Sequence, residues 1–270
     1  MRRKLDSQKN LDNLRPVVPG VFTFGNLLCG FLAILHAMGD NPINAAWFIL
    51  IGAFLDALDG KVARLAKGAT PLGVQLDSLA DFLTFGIAPI IMMFGVGCFD
   101  LRDWRLAIGL LYLFAGAYRL ARFNLEAVPE GVDNFTGLPI PAAALTVASG
   151  VLFIQKVWPP IVGNGSLGGV AIMAWLMVSN VPYPKRLPRF KLSRQKSIVF
   201  VIPILILILG LILAPVYLIY PMMIIYVAFG LARAVFNSLT HRKERLDEKF
   251  QSNGECSKEG DGGGSGGEDY

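Results

Sequence analysis

The sequence predicts an all-α protein, a polytopic bundle of membrane-spanning helices, and three observations support this fold class. Hydrophobic residues make up 54% of the 270 residues and charged residues only 17%, whereas soluble domains contain about 25% charged residues. The apolar residues form long runs, such as 82–99 and 198–213, which suit bilayer spans of about 20 residues. The basic residues are also distributed very unevenly among the loops between these runs.

We predict about eight spans, with six as the fallback count. They lie at 17–37, 43–66, 71–99, 104–123, 138–157, 167–181, 197–213 and 215–237. The first follows a basic segment and therefore resembles a signal peptide. Because its apolar run continues to about residue 37 without an obvious cleavage site, we interpret it as an uncleaved span.

The second span must continue through two aspartates, because residues 43–55 alone are too short to cross about 30 Å of hydrocarbon. The third has its long apolar run after Asp81, which places its own aspartates at one end. The fourth and fifth are ordinary apolar runs, and the sixth is short. The seventh and eighth are separated only by Ala214 and Pro215, so they could form a tight helical hairpin.

The basic residues predict the orientation. With eight spans and both termini in the cytosol, the external loops contain Arg102, Arg105 and Lys156, which are 3 of the 25 basic residues. The remaining 22 lie on the cytosolic side, six of them in the loop 182–196. Cytosolic loops of membrane proteins are enriched in Lys and Arg, so we expect an integral protein of the cell membrane.

The chain divides into three parts by composition. Residues 1–16 form a basic cytosolic segment, 17–240 the transmembrane domain, and 241–270 a cytosolic tail that ends in a Gly/Ser-rich stretch. Such a tail buries too little apolar surface to become ordered. The net charge of +5 is explained by cytosolic loops, so no nucleic-acid partner is expected. The three cysteines have no disulfide or zinc spacing.

Four aspartates interrupt the second and third spans: Asp56, Asp59, Asp77 and Asp81. A carboxylate at the centre of a membrane helix costs roughly 2.5–3.5 kcal/mol, and less near the interface. The pairs are spaced i, i+3 and i, i+4, so each pair shares one helix face. Both pairs lie near the cytosolic interface, on helices that run in opposite directions. Hard divalent ions prefer oxygen ligands, so we predict Mg²⁺ or Mn²⁺, with two ions sharing the four acids.

Small and basic residues accompany the acids. Gly60 and Ala63 follow the first pair on nearly the same face, and Gly73 lies one turn before Asp77. The lack of bulk lets a ligand approach the backbone closely, and Arg64 adds a positive charge suited to phosphate. Together these residues predict a pyrophosphate site, and its position indicates that the other end of the substrate is lipid.

This pattern has a known counterpart. It reads Asp56-x-x-Asp59-Gly60-x-x-Ala63-Arg64-x8-Gly73-x-x-x-Asp77-x-x-x-Asp81. The string resembles the signature of the CDP-alcohol phosphotransferase family at all eight defining positions. Four further segments, 19–26, 118–124, 137–139 and 179–185, resemble the phosphatidylserine synthase branch found in bacteria and archaea. The likeness covers roughly residues 15–190.

The resemblance implies a reaction and a set of roles. In this branch the hydroxyl of L-serine attacks the β-phosphate of CDP-diacylglycerol, CMP leaves, and phosphatidylserine forms. Asp81 would be both a metal ligand and the base, and the other three aspartates would be ligands. Gly60, Arg64 and Thr70 match positions that contact the CDP moiety. Thr23 and Asn26 either line the nucleotide pocket or are polar helix-packing residues. Homodimers are usual in the family.

The acceptor site is predicted at the cytosolic end of the fourth span. Arg119 and Arg122 are spaced i, i+3, and Asn124 follows. A guanidinium can hold the carboxylate of serine through two hydrogen bonds. The alternative interpretation is that these arginines anchor the topology or contact lipid headgroups.

Four alternatives are weighed at this stage. The acceptor could be glycerol 3-phosphate, inositol phosphate or an aminoalcohol, and the donor could be an archaeal-type CDP-lipid. A cation transporter would also use intramembrane acids, but it would place them near the bilayer midplane on broken helices. A purely structural scaffold gives no reason for the cost of four acids.

Overall fold

The apolar runs fold into helices because backbone polar groups within a bilayer must be satisfied inside the segment that carries them. The computed structural model describes residues 17–66, 70–99, 102–125, 134–157, 162–179, 181–184 and 213–233, together with 210 and 236. Its helices are α1 (Val17–Met38), α2 (Pro42–Ala66), α3 (Pro71–Asp81), α4 (Ala88–Gly95), α5 (Leu106–Leu125), α6 (Ile140–Val157), α7 (Val162–Val178) and α8 (Pro215–Arg233). A π-helical segment, Phe82–Ile87, joins α3 to α4.

Six helical stretches within the described residues are long and apolar enough to cross a membrane. They are Gly20–Met38, Pro42–Val62, Pro71–Gly95, Leu106–Leu125, Ile140–Val157 and Pro215–Arg233. The predicted span at 167–181 corresponds to a shorter apolar helical stretch, Ser166–Val178. The predicted span at 197–213 lies outside the described residues except at 210 and 213. The count of eight is therefore not confirmed, whereas an integral membrane protein with six candidate spans is supported.

The first helix organises the acid-bearing end of the bundle. It packs against α2, α3, the π-helical segment and α4. Small residues such as Ala33, Ala45 and Ala46 are completely buried, which lets the backbones of membrane helices approach closely. As a result, α1 links the two helices that carry the aspartates.

The third span changes its helical period directly after Asp81. Thr70 caps α3, its hydroxyl accepting a hydrogen bond from the backbone N–H of Gly73 at 3.1 Å. The π-helical segment begins at Phe82, and such segments often lie at functional sites. The buried phenol of Tyr112 in α5 donates to the carbonyl of Phe85 at 3.0 Å, which fixes this segment against its neighbour.

A short antiparallel ladder is the one non-helical feature among the described elements. It pairs β1 (Asn134–Thr136) with β2 (Pro182–Pro184). Gly137 follows with a φ of +83°, and its N–H donates to the carbonyl of Val181 at 2.9 Å. The ladder thereby ties the chain entering α6 to the chain leaving α7. The predicted terminal segments, 1–16 and 241–270, lie outside the described residues.

Candidate active site

Three carboxylates from two helices meet at one end of the bundle. Asp56 in α2 and Asp77 and Asp81 in α3 each offer an oxygen, and these oxygens lie within 4.8 Å of one another. Asp77 and Asp81 share a face because residues four apart on a helix are neighbours. Three of the four predicted ligands are therefore brought together by the fold.

Asp59 faces a different partner. Its side chain is only 6% exposed, and its Oδ2 accepts a short hydrogen bond from the hydroxyl of Thr23 in α1. Its Oδ1 is buried without a hydrogen-bond partner among the described residues. Three residues advance a helix by about 300°, so Asp59 is rotated by about 60° from Asp56. This rotation explains why Asp59 contacts α1 while Asp56 faces α3.

Asp81 is the most enclosed member of the carboxylate cluster, which we define as Asp56, Asp77 and Asp81. It is 9% exposed, and its Oδ1 accepts a hydrogen bond of 2.9 Å from the side-chain amide of Asn26 in α1. Thr23 and Asn26, which the sequence assigned either to the nucleotide pocket or to helix packing, thus each bond one of the four aspartates.

The donor set suits a hard divalent cation. Magnesium binds oxygen at about 2.0–2.1 Å, so two ligands on opposite sides of the ion lie about 4 Å apart. The 4.8 Å spread of the cluster is close to that distance. Two ionised carboxylates at such a separation repel each other by on the order of 3 kcal/mol at an effective dielectric constant of 20. A bound cation would remove this repulsion and would use the oxygens that the helices bring together.

The surface beside the carboxylate cluster is open. A Cβ atom added at Gly60 would meet nothing within 4 Å, whereas one at Gly73 would meet only the hydroxyl of Thr70, at 3.0 Å. All three residues are exposed. Ala63 and Arg64 belong to α2, but their side chains lie outside the described part of the chain. The geometry therefore leaves room for a large ligand next to the acids.

The end of α5 adjoins this surface. The side-chain amide of Asn124 donates to the hydroxyl of Ser78 at 3.0 Å, and Ser78 is the residue after Asp77. Arg119 is buried, with its guanidinium carbon 5.3 Å from the centre of the Phe123 ring. Arg122 is half-buried. The contact between Asn124 and Ser78 links the predicted acceptor residues to the acid-bearing helix.

Two features of this region were missed by sequence reasoning. Ser78 and Thr84 lie within or beside the acidic segment, yet neither was singled out. Thr84 is completely buried, and its hydroxyl donates to the backbone carbonyl of Asn26 at 2.9 Å. The sequence does contain a signal for Thr84, because a polar side chain inside an apolar span needs a hydrogen-bond partner in the membrane.

Comparisons with known proteins support the family resemblance of the acidic pattern. The family model described as CDP-alcohol phosphatidyltransferase matches residues 16–183. A Helicobacter pylori protein named CDP-diacylglycerol–serine O-phosphatidyltransferase is 34% identical, over 81% of this chain and 91% of its own length. A Bacillus subtilis protein of the same name is 34% identical, over 62% of this chain and 89% of its own length. A Methanothermobacter thermautotrophicus protein named archaetidylserine synthase is 34% identical, over 62% of this chain and 70% of its own length.

Proposed function

This chain belongs to the CDP-alcohol phosphatidyltransferase family, and we propose that it transfers a phosphatidyl group from CDP-diacylglycerol to the hydroxyl of L-serine. The products are phosphatidylserine and CMP, and the reaction depends on Mg²⁺ or Mn²⁺. The observation that carries this proposal is the convergence of Asp56, Asp77 and Asp81 within 4.8 Å beside an open surface. The names of the Helicobacter and Bacillus relatives support serine as the acceptor.

The carboxylate cluster would hold the metal. Asp56, Asp77 and Asp81 provide oxygen ligands from facing helices, and Asp59 is proposed as the fourth ligand. When bound, the divalent ions supply charge neutralisation at the pyrophosphate and make its phosphorus more electrophilic. The protein contributes mainly position, because phosphoryl transfer depends more on alignment than on covalent chemistry.

Asp81 is proposed as the general base. The serine hydroxyl oxygen forms a bond to the β-phosphorus as the bond from that phosphorus to the CMP oxygen breaks. The hydroxyl proton passes to a carboxylate oxygen of Asp81, and the electron pair of the broken bond leaves with CMP. A base must lie within hydrogen-bond reach of this proton, and the oxygen that Asp81 contributes to the carboxylate cluster would lie beside a substrate held at the metal.

The remaining residues are proposed to bind the two substrates. The open backbone at Gly60 and Gly73 gives the CDP group a close approach, with Ala63, Arg64 and Thr70 alongside it. Arg119 and Arg122 are proposed to bind the serine carboxylate or the donor phosphate, with Asn124 beside them. The uneven distribution of basic residues supports a site that faces the cytosol from the cell membrane, and the active protein is proposed to be a homodimer.

Release of CMP from CDP-diacylglycerol tests the proposal. Purified protein with Mn²⁺ should release CMP when serine is added, and much less with glycerol 3-phosphate, inositol or ethanolamine. Asp56→Asn and Asp77→Asn should abolish the release. Asp40→Asn is the matched control, because Asp40 is exposed with a φ of +57°, a conformation that asparagine tolerates.

Two outcomes would redirect the proposal. The archaetidylserine synthase relative gives a specific reason to test an ether-linked archaeal CDP-lipid as donor. A strong preference for that lipid would change the donor but keep the chemistry. Metal-driven cation flux in liposomes, without CMP release under any condition, would contradict the enzyme and favour a transporter.

A further inference from the structure

We propose that Asn26 is a positioning residue that fixes the orientation of the Asp81 carboxylate and thereby sets the affinity of the metal site. This inference rests on the proposed function, because it takes Asp81 to be a metal ligand and the base. Asn26 lies in α1, 55 residues before Asp81 in the chain, and it is completely buried. Its side-chain amide donates to Asp81 Oδ1 at 2.9 Å.

The two polar side-chain atoms of Asn26 differ in their hydrogen bonding. The amide nitrogen has a carboxylate partner, whereas Oδ1 is buried without a hydrogen-bond partner among the described residues. Leaving a buried carbonyl unpaired costs free energy, and a residue present only for helix packing would have no need of it. The donor end of Asn26 faces Asp81, which is the orientation that suits a metal-ligating carboxylate, since an ionised carboxylate can only accept hydrogen bonds.

The position of Asn26 is itself fixed by close packing. The hydroxyl of Thr84, in the π-helical segment, donates to the backbone carbonyl of Asn26 at 2.9 Å. A Cβ at Gly30 would lie 2.3 Å from the hydroxyl oxygen of Thr84, and one at Gly52 would lie 3.0 Å from Asn26 Oδ1. The absence of side chains at these two positions is therefore what allows α1, α2 and the π-helical segment to meet around Asn26.

Asp81 needs this external support because of where it lies in the chain. It is the last residue of α3, and the helical period changes at Phe82. The hydrogen bond from Tyr112 to the carbonyl of Phe85 holds the next turn against α5. Asn26 then holds the carboxylate against α1. The bond to Asp81 and the bond to Phe85 thus hold the chain on both sides of the point where the helical period changes.

The expected consequence is an effect on metal affinity. Residues that hydrogen-bond a metal ligand orient it, and their substitution typically lowers metal affinity or activity by 10- to 100-fold. Asn26→Leu keeps the branched shape of the side chain and removes the donor. Asn26→Ala removes the donor without adding bulk, so the two variants separate loss of the hydrogen bond from local misfit.

The test is a titration of the purified, full-length protein with Mn²⁺, in which electron paramagnetic resonance measures the concentration of the free ion. Wild type should bind Mn²⁺, and both Asn26 variants should bind it at least about tenfold more weakly. Thr146→Val is the matched control, because Thr146 is also buried but its hydroxyl donates to the carbonyl of Ala142 within α6. The control should remain within about twofold of wild type.

A double-mutant cycle distinguishes positioning from a general structural role. If Asn26 acts through Asp81, adding Asn26→Leu to Asp81→Asn should not weaken Mn²⁺ binding further, since coupled sites are not additive. Additive losses, or wild-type affinity in both single Asn26 variants, would overturn this inference while leaving the proposed function intact. Failure of the wild-type protein to bind Mn²⁺ would contradict the metal-dependent function itself.

Discussion

Substituting Gly52 by alanine is expected to disturb both the stability and the activity of the protein. The added Cβ would lie 2.7 Å from Cγ2 of Thr84 and 3.0 Å from Oδ1 of Asn26. Carbon atoms in contact are normally about 3.5–4.0 Å apart. Either α2, which carries Gly52, or the π-helical segment, which carries Thr84, must therefore move by at least about 0.8 Å. The hydrogen bond from Asn26 to Asp81 is 2.9 Å long. A shift of that size along the bond would lengthen it to about 3.7 Å, beyond the usual limit of about 3.2 Å.

The energetic expectation follows from two opposing effects. Alanine in place of glycine normally stabilises a helix interior by about 0.5–1 kcal/mol. Overpacking of a close contact costs about 1–3 kcal/mol. The net loss at Gly52 should therefore be on the order of 1–2 kcal/mol, which lowers Tm by a few degrees. The displaced Asn26 should lower kcat by tenfold or more.

The assay is thermal unfolding in detergent together with CMP release at saturating substrate. Gly168→Ala in α7 is the matched control, because a Cβ there meets nothing within 4 Å. The control should keep the kcat of wild type and should not lower Tm. Wild-type Tm and kcat in Gly52→Ala would show that the helices can separate freely, and would refute the close-packed arrangement around Asn26.

Three further changes have distinct expected signatures. Asp81→Asn should abolish turnover while the protein still binds CDP-diacylglycerol, because the base is lost and the donor surface is kept. Gly60→Ala should lower activity without lowering Tm, because its Cβ meets nothing in the structure but would occupy the proposed donor surface. Arg119→Lys or Arg122→Lys should raise the KM for serine, because lysine cannot form the bidentate pair. Donor binding, thermal unfolding and initial rates of CMP release measure these effects.

Each of these expectations has an outcome that contradicts it. Turnover at the wild-type rate in Asp81→Asn would remove that residue from the mechanism. Unchanged activity in Gly60→Ala would show that the donor does not bind on the open side of α2. An unchanged serine KM in both arginine variants would support the alternative that these residues anchor the topology or contact lipid.

The sequence predicted the membrane bundle well because length and apolar composition decide whether a helix can cross a bilayer. The first five predicted spans, and the last, correspond closely to described helices. The short apolar helical stretch at Ser166–Val178 was harder to classify, because its length is near the limit. The ladder between Phe135 and Tyr183 had no signal, because each strand has only three residues.

The acidic pattern identified the family, but spacing alone could not assign a contact to each carboxylate. Residues three and four apart were both treated as sharing one face, yet the structure gives Asp59 a bond to Thr23 while Asp56 joins the cluster. The π-helical turn after Asp81 and the approach of Asn26 depend on packing between distant segments. Such long-range geometry leaves little trace in a local pattern.

The most direct test of the account is an anomalous diffraction map of the protein crystallised with Mn²⁺ and CMP, collected at the manganese absorption edge. We predict a peak within about 2.5 Å of carboxylate oxygens from Asp56, Asp77 and Asp81, with CMP lying beside Gly60. No peak among these three side chains, or a peak only elsewhere in the bundle, would contradict the proposed metal-dependent transferase.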